Sequence, residues 1–299
     1  MKALAVFSLV LLTLTAVSAQ VSDLKYSTFD SKGDPATITQ IIDAAGKADV
    51  VFLGEQHDDS TAHALQLEIF RQAVEKYSKE RRVALSVEMF ERDVQVILNE
   101  YMAGLITEPQ FFAGSRPWGN YKTDYRPLVE LAKEKKLDVV AANAPRRYVN
   151  MVSRLGRDSL NGLSKEAKSW LAPLPYANPS DAYTKKFNIL MGANRDPAAT
   201  TAHSPIVFSQ ALWDATMAWS IAENLKKNKG GLVVHLNGSF HTENRLGTVE
   251  QLLGYRPKTK VIVVTMRYET DFKTFDKMKH TGLGDFVILT DAAAPRSQP

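Results

Sequence analysis

The chain has 299 residues, 44% of them hydrophobic and 23% charged, with a formal net charge of +4. That size and balance support a substantial buried core and exclude disorder except at the ends. Cysteine is absent, which excludes disulfides, thiolate nucleophiles and thiolate metal ligands.

In chain order, Lys2, the uncharged apolar run from Ala3 to Val17, and the small residues Val17-Ser18-Ala19 read as a secretory signal over residues 1–19. Ser8, Thr13, Thr15 and Ser18 interrupt the run, which is short for a bilayer span of ~20 residues. Losing Lys2 with the signal lowers the net charge from +4 to +3. The expected location is secreted, periplasmic or otherwise extracytoplasmic, with no transmembrane segment in the mature chain and no cysteine for lipid attachment.

Helices are predicted over residues 38–47, 61–77, 94–102 and 124–135, the second carrying Leu65, Ile69, Ala73 and Tyr77 at helical spacing. Another opens at Pro145, whose missing N–H costs nothing in a first turn. A long helix is expected over 205–227 and a short one over 246–253. Apolar strands are predicted at 49–54, 82–87, 137–142, 231–236, 261–264 and 286–289. Continuous apolar strands separated by helices imply an α/β fold with a mostly parallel central sheet flanked by helices on both faces. The Pro-, Ala-, Asn- and Tyr-rich stretch Ser164 to His203 has no strand pattern, so residues of about 156–229 read as a helical insertion or lid. The mature α/β domain is expected to span residues 20–291, with a disordered tail over 292–299.

Ligands of an open parallel sheet bind beyond the carboxyl ends of its strands. Four predicted strands end in polar groups: Glu55 and His57 after the first, Glu88 after the second, Asn143 with Arg146 after the third, and Asn237 to His241 after the fourth. Gly54 and Gly238 each precede a histidine by three residues and are expected to let the backbone turn so that the imidazole points over the strand end. Glu55, His57, Glu88 and His241 are therefore the candidate catalytic groups. His57, His241 and Glu55 form a ligand set for a divalent metal ion such as zinc or manganese, which would activate a bound water. Without metal, Glu55 or Glu88 would serve as general base.

Unpaired burial of Glu88 would be expensive, so an ion pair with Arg146 is expected. His63 either faces the site or caps its helix. Gln210, Asp214 and Met217 share one helix face that should border the site. Trp213, Trp219 and His235 read as core, His203 and His280 as solvent-exposed. Trp118, Tyr121 and Tyr125 either line an apolar pocket or pack beneath a loop.

An ordered series of short motifs resembles the ChaN-like haem-binding uptake family of the Tiki superfamily. The series comprises Gly54-Glu55-Gln56-His57-Asp58-Asp59 with His63, Val87-Glu88-Met89-Phe90, Trp118 with Tyr125-Arg126-Pro127, and Ala141-Ala142-Asn143-Ala144-Pro145-Arg146. It continues with Gln210, Asp214-Ala215-Thr216-Met217-Ala218 and Asn237-Gly238-Ser239-Phe240-His241. The resemblance implies a haem-binding, iron-uptake protein of the cell envelope on a hydrolase-like core. It implies iron held by tyrosine, for which Tyr125 and Tyr148 are the candidates, and two haems stacked in a homodimer. Relatives in the superfamily include metal-dependent proteases and erythromycin esterases, so a metal-dependent hydrolase is the alternative. His63, Asn143, Arg146, Gln210 and Asp214 join the two tyrosines as expected cofactor-binding residues. The basic excess suits an acidic small ligand such as a porphyrin with propionates. The clusters Lys133–Lys136 and Lys226–Lys229 lack interleaved aromatics, so no nucleic-acid partner is expected.

Overall fold

In the computed structural model, residues 23–191 and 204–298 are described. The proposed signal and His203 lie outside them. The described chain runs β1 (Tyr26–Asp30), α1 (Ile38–Ala45), β2 (Val50–Glu55), α2 (Ser60–Tyr77), β3 (Val83–Glu91), α3 (Gln95–Met102), α4 (Glu108–Ser115), α5 (Arg126–Glu134), β4 (Asp138–Asn143) and α6 (Arg146–Leu155). It continues through α7 (Lys165–Ser169), α8 (Asp181–Leu190), α9 (Pro205–Lys227), β5 (Leu232–Gly238), α10 (Thr248–Tyr255), β6 (Val261–Glu269), α11 (Lys277–His280) and β7 (Phe286–Asp291).

The strands form one sheet in the order β1-β7-β6-β2-β5-β3-β4, parallel throughout except for β1, which pairs antiparallel with β7. Alternation of side chains sends Val51, Leu53, Leu85, Val234 and Leu236 into the layer of α1, α2 and α5. Val50, Phe52, Ala84, Val233 and Val263 pack on the other face, against α9 and α10. Both faces are thus covered, and this is why the strands read as unbroken apolar runs rather than alternating ones. The sequence-based strands match β2 to β7; β1 was missed. Its short Tyr-Ser-Thr-Phe-Asp stretch precedes a tight turn through Gly33 at φ +90°, a signal that was available.

The insertion between β4 and β5 is helical among its described residues. Val149, Val152, Leu160, Leu171 and Tyr176 pack on Leu212 and Ala215 of α9, so it has its own small apolar centre. Two expectations are corrected. His280 is buried, not exposed: its Nδ1 accepts from the Asp276 N–H at 3.1 Å and its Nε2 lies 3.2 Å from Glu269. The tail does not run free either: Ser297 N–H donates to the Asp58 carbonyl at 2.9 Å, and Ser60 Oγ donates to the Pro295 carbonyl at 2.6 Å.

Candidate functional site

Strand order turns separate chain segments into one site. β2, β5 and β3 are adjacent, so Glu55, the Gly238–His241 turn and Glu88 leave neighbouring strands at the same edge. Strand β3 continues beyond Val87 with a shift in register before Glu91, and Glu88 lies in this irregular stretch. Such irregularities commonly re-aim a side chain beside a site.

The first half of the site is built around Glu55, which is buried. Its Oε1 accepts from His57 Nδ1 at 3.0 Å and from the Tyr125 hydroxyl, and its Oε2 accepts from Gln66 Nε2 at 2.6 Å. His63 Nδ1 stands 3.4 Å from Oε2, and its Nε2 lies 3.6 Å from Asp124. Asp124 and Tyr125 come from a π-helical turn, Tyr121–Tyr125, which opens α5. Such wide turns recur at functional sites because they reorient successive side chains. Burial alone would raise the Glu55 pKa, but the charges of His63 and His57 and the bonds from His57 and Tyr125 hold it below its ordinary value. Burial likewise opposes charge on His57, yet the Glu55 hydrogen bond and the charges of Glu88, Glu55 and Asp58 push its pKa up to about 9.

The second half centres on Asp214 of α9. Its Oδ1 accepts from His241 Nδ1 at 2.8 Å and Thr248 Oγ1 at 2.8 Å, and its Oδ2 from the Tyr183 hydroxyl at 2.5 Å. His241 Nε2 lies 3.5 Å from Glu88 Oε1 and 3.4 Å from Gln210 Nε2. Burial works against charging this imidazole, but Asp214 and Glu88 raise its pKa nonetheless. Glu88 Oε2 accepts the Gly238 N–H at 2.7 Å.

The halves meet over Gly238. A Cβ there would stand 2.9 Å from His57 Nε2 and Cε1, and 3.7 Å from Glu88 Oε2. At Gly54 a Cβ would stand 3.0 Å from the Ser239 Cα. Neither glycine has a positive φ. The expected reason for them is therefore replaced: they permit close approach between strand ends rather than a left-handed turn.

A cavity of about 800 Å³ opens above these groups, within the usual range for small-molecule sites of roughly 300–1,000 Å³. Its walls include Met89, Trp118, Trp213, Phe240 and Leu190, with Arg116, Arg146, Asn143 and Gln210 supplying polar groups. Glu55, His57, Glu88, Asn143, Arg146, Gln210 and His241 all line it. His63 and Asp214 stand behind, each bonded to a lining residue or its partner. Trp213, expected in the core, is a half-buried wall of the cavity. Met217 is buried, Tyr121 packs against Phe90 and Phe111, and His235 bonds Ser86 within the core at 2.8 Å.

Three expectations fail on geometry. Glu88 pairs with Gly238 and His241, and Arg146, which opens α6, is exposed with no ion-pair partner among the described residues. Neither candidate tyrosine lines the cavity: Tyr125 is buried with its hydroxyl on Glu55, and Tyr148 stacks on Trp170 at 6.5 Å beneath Arg147. Among the described residues, no group of three or more His, Asp or Glu side chains is gathered to hold a divalent ion. His241 turns its Nε2 toward Glu88 Oε1, 3.5 Å away. Arg116, Leu190 and Gln66 were missed. Gln66 alone had a signal, being three residues beyond His63 on one helix face.

A mostly parallel sheet covered on both faces, with two carboxylate-held imidazoles beneath a cavity at its strand ends, defines an α/β protein with a candidate small-molecule site. The chain belongs to the family described as haem-binding uptake, Tiki superfamily, ChaN, whose model matches residues 41–252. Membership supports haem as the ligand. Among solved structures, it is similar to ChaN of Campylobacter jejuni, described as binding haem cofacially, at 21% identity over 90% of this chain and 98% of that one, with a TM-score of 0.69. At that identity the likeness establishes the fold. An erythromycin esterase mutant, EreC, in its open conformation gives a TM-score of 0.48 at 10% identity, covering 82% of this chain and 77% of that one. The Arabidopsis thaliana protein RETICULATA-RELATED 5, chloroplastic, is 24% identical over 264 residues, which is 84% of this chain. The chain spans 35% of that relative's length. Among the described residues no helix is long and apolar enough to cross a membrane.

Proposed function

We propose that the protein captures haem in the cavity at the strand ends, with His57 as the iron ligand, and serves haem or iron uptake outside the cytoplasm. The observation that carries this reading is the state of the His57 ring. Its Nδ1 is fixed on buried Glu55, its Nε2 makes no hydrogen bond among the described residues, and its side chain is 39% exposed. Metal-bound histidines characteristically give their other ring nitrogen to a carboxylate, which sets ring orientation and raises basicity.

The remaining walls suit the same ligand. Trp118 lies edge-on to His57 at 4.5 Å between ring centres, and Trp213, Phe240 and Leu190 supply apolar surface for a flat macrocycle. Arg146 lines the cavity and has no ion-pair partner among the described residues, so it suits a propionate carboxylate, whereas Arg116 on the same lining is already paired with Glu91 and Asp93. With the two candidate phenols withdrawn, an imidazole fits the donor position better than a tyrosinate. The secretion-like N-terminal sequence motivates the extracytoplasmic location.

Titration of the purified protein with hemin should give a saturable Soret shift. His57→Ala should weaken binding by about 100-fold or more while leaving the fold intact, whereas His241→Ala should retain binding. A spectrum indistinguishable from free hemin would reject haem capture, and equal affinity in His57→Ala would reject the assigned ligand.

A further inference from the structure

Residues 295–297 return to the loop that carries His57. Residues 58–60 face residues 297–295 in antiparallel order. Ser297 N–H donates to the Asp58 carbonyl at 2.9 Å, Arg296 bridges to Asp59, and Ser60 Oγ donates to the Pro295 carbonyl at 2.6 Å. The Arg296 guanidinium lies 3.6 Å from the ring centre of Tyr268 and 3.7 Å from Asp59 Oδ1. Asn120 completes the arrangement: its Nδ2 donates to the His57 carbonyl at 2.9 Å and reaches Ser297 Oγ at 3.5 Å.

Ordering a segment of chain costs about 1–2 kcal/mol per residue in backbone entropy. The tail offers little apolar burial in return, since Ala292, Ala294, Pro295 and Arg296 are all at least partly exposed. Ala292 to Ala294 bond to Glu269 and Asp291, but the contacts of Pro295, Arg296 and Ser297 outside the tail fall on the segment that follows His57, on Asn120 and on Tyr268, whose own N–H donates to Gln56 Oε1 at 2.9 Å. Gln56 is the residue between Glu55 and His57, so both edges of the loop are held.

We infer that Pro295–Ser297 is a positioning strap, which fixes the His57 backbone so that its imidazole bridges Glu55 and the cavity. This rests on the proposed role of His57 and adds a distant segment that sets its geometry. Arg296 and Ser297 act through the loop and touch no ligand themselves.

The test uses the full chain with Arg296→Ala, Ser297→Pro and Arg296→Lys. Ser297→Pro removes the N–H that holds Asp58. Two readouts are taken: hemin affinity, and the imidazole NMR signals of His57 and His235 in haem-free protein. Arg296→Ala and Ser297→Pro should shift the His57 signals, leave His235 in place, and weaken hemin binding about tenfold; Arg296→Lys should restore both. Unchanged His57 signals in Arg296→Ala and Ser297→Pro would overturn the strap. So would movement of His57 and His235 together, which marks a general structural role. If the wild type binds no hemin, the haem reading fails by itself, and the NMR signals alone decide the strap.

Discussion

The two imidazoles of the site are held in the same way at one nitrogen and differently everywhere else. Each gives Nδ1 to a buried carboxylate, Glu55 for His57 and Asp214 for His241. Beyond that bond, the His57 side chain is 39% exposed and the His241 side chain 6%. His57 leaves Nε2 to the cavity, whereas His241 turns Nε2 to Glu88. The difference is one of division of labour: an open ring can accept a ligand, while a ring locked between two carboxylates braces the wall. Conserving the Nδ1 bond while varying the other side lets one local motif serve both ends.

Asp214 is the residue whose loss would cost the second half most. Replacing it with alanine leaves the Tyr183 hydroxyl, the Thr248 hydroxyl and His241 Nδ1 without their acceptor in a buried setting. Removing one partner of a buried charged network costs roughly 3–5 kcal/mol. Equilibrium unfolding in urea should show a loss of that size for Asp214→Ala. A loss below about 1 kcal/mol would mean that the second half is not a structural brace.

The halves also differ in how far the sequence discloses them. Glu55, His57, His63 and Gln66 lie within twelve consecutive residues, and a strand end followed by a helix places them together by local geometry alone. The second half assembles Asp214, Tyr183, Thr248, His241 and Glu88 from four distant segments. Helix periodicity marked Asp214 and Gln210 as one face, but Tyr183 sits in the insertion, where no repeat or strand pattern fixed its direction. Six of the seven strands were legible because burial on both faces makes them unbroken apolar runs. The strand order β2-β5-β3 was not, since nothing local states which parallel neighbours a strand chooses. Arg146 was assigned to Glu88 by charge alone; the backbone N–H of Gly238, which any residue other than proline would offer, took that place.

A smaller perturbation sharpens the contrast from the other side. Gly238 has an ordinary φ of −59°, so alanine meets no backbone penalty there. Its methyl group would nevertheless stand 2.9 Å from the His57 ring. Overpacking costs about 1–3 kcal/mol, and the low end is expected because the half-exposed ring can swing into the cavity. Gly238→Ala should therefore fold with a loss of about 1 kcal/mol and weaken hemin binding about tenfold by displacing His57 from Glu55. Unaltered His57 ring signals by NMR in this variant would show that the imidazole does not bridge the gap as described.

The smallest effect concerns Lys186 of α8, which ties the insertion to the His241 turn. Its Nζ donates to the Phe240 carbonyl at 2.7 Å and to the Glu243 carbonyl at 3.1 Å, bracketing His241. Burial, assisted by the charge of Arg267, outweighs the attraction of Glu243 and Asp214 and lowers its pKa from 10.5 to about 8. The unfolded chain then binds the extra proton between those values, so this group makes stability rise as pH climbs from about 8 toward 10.5. Lys186→Met has no such proton to release, and its stability difference from the wild type should widen across that window in favour of the wild type. Because the turn carries His241 and not His57, the same substitution should leave hemin affinity nearly unchanged. Parallel stability curves for the two proteins would place Lys186 in a solvated setting and detach the insertion from the brace.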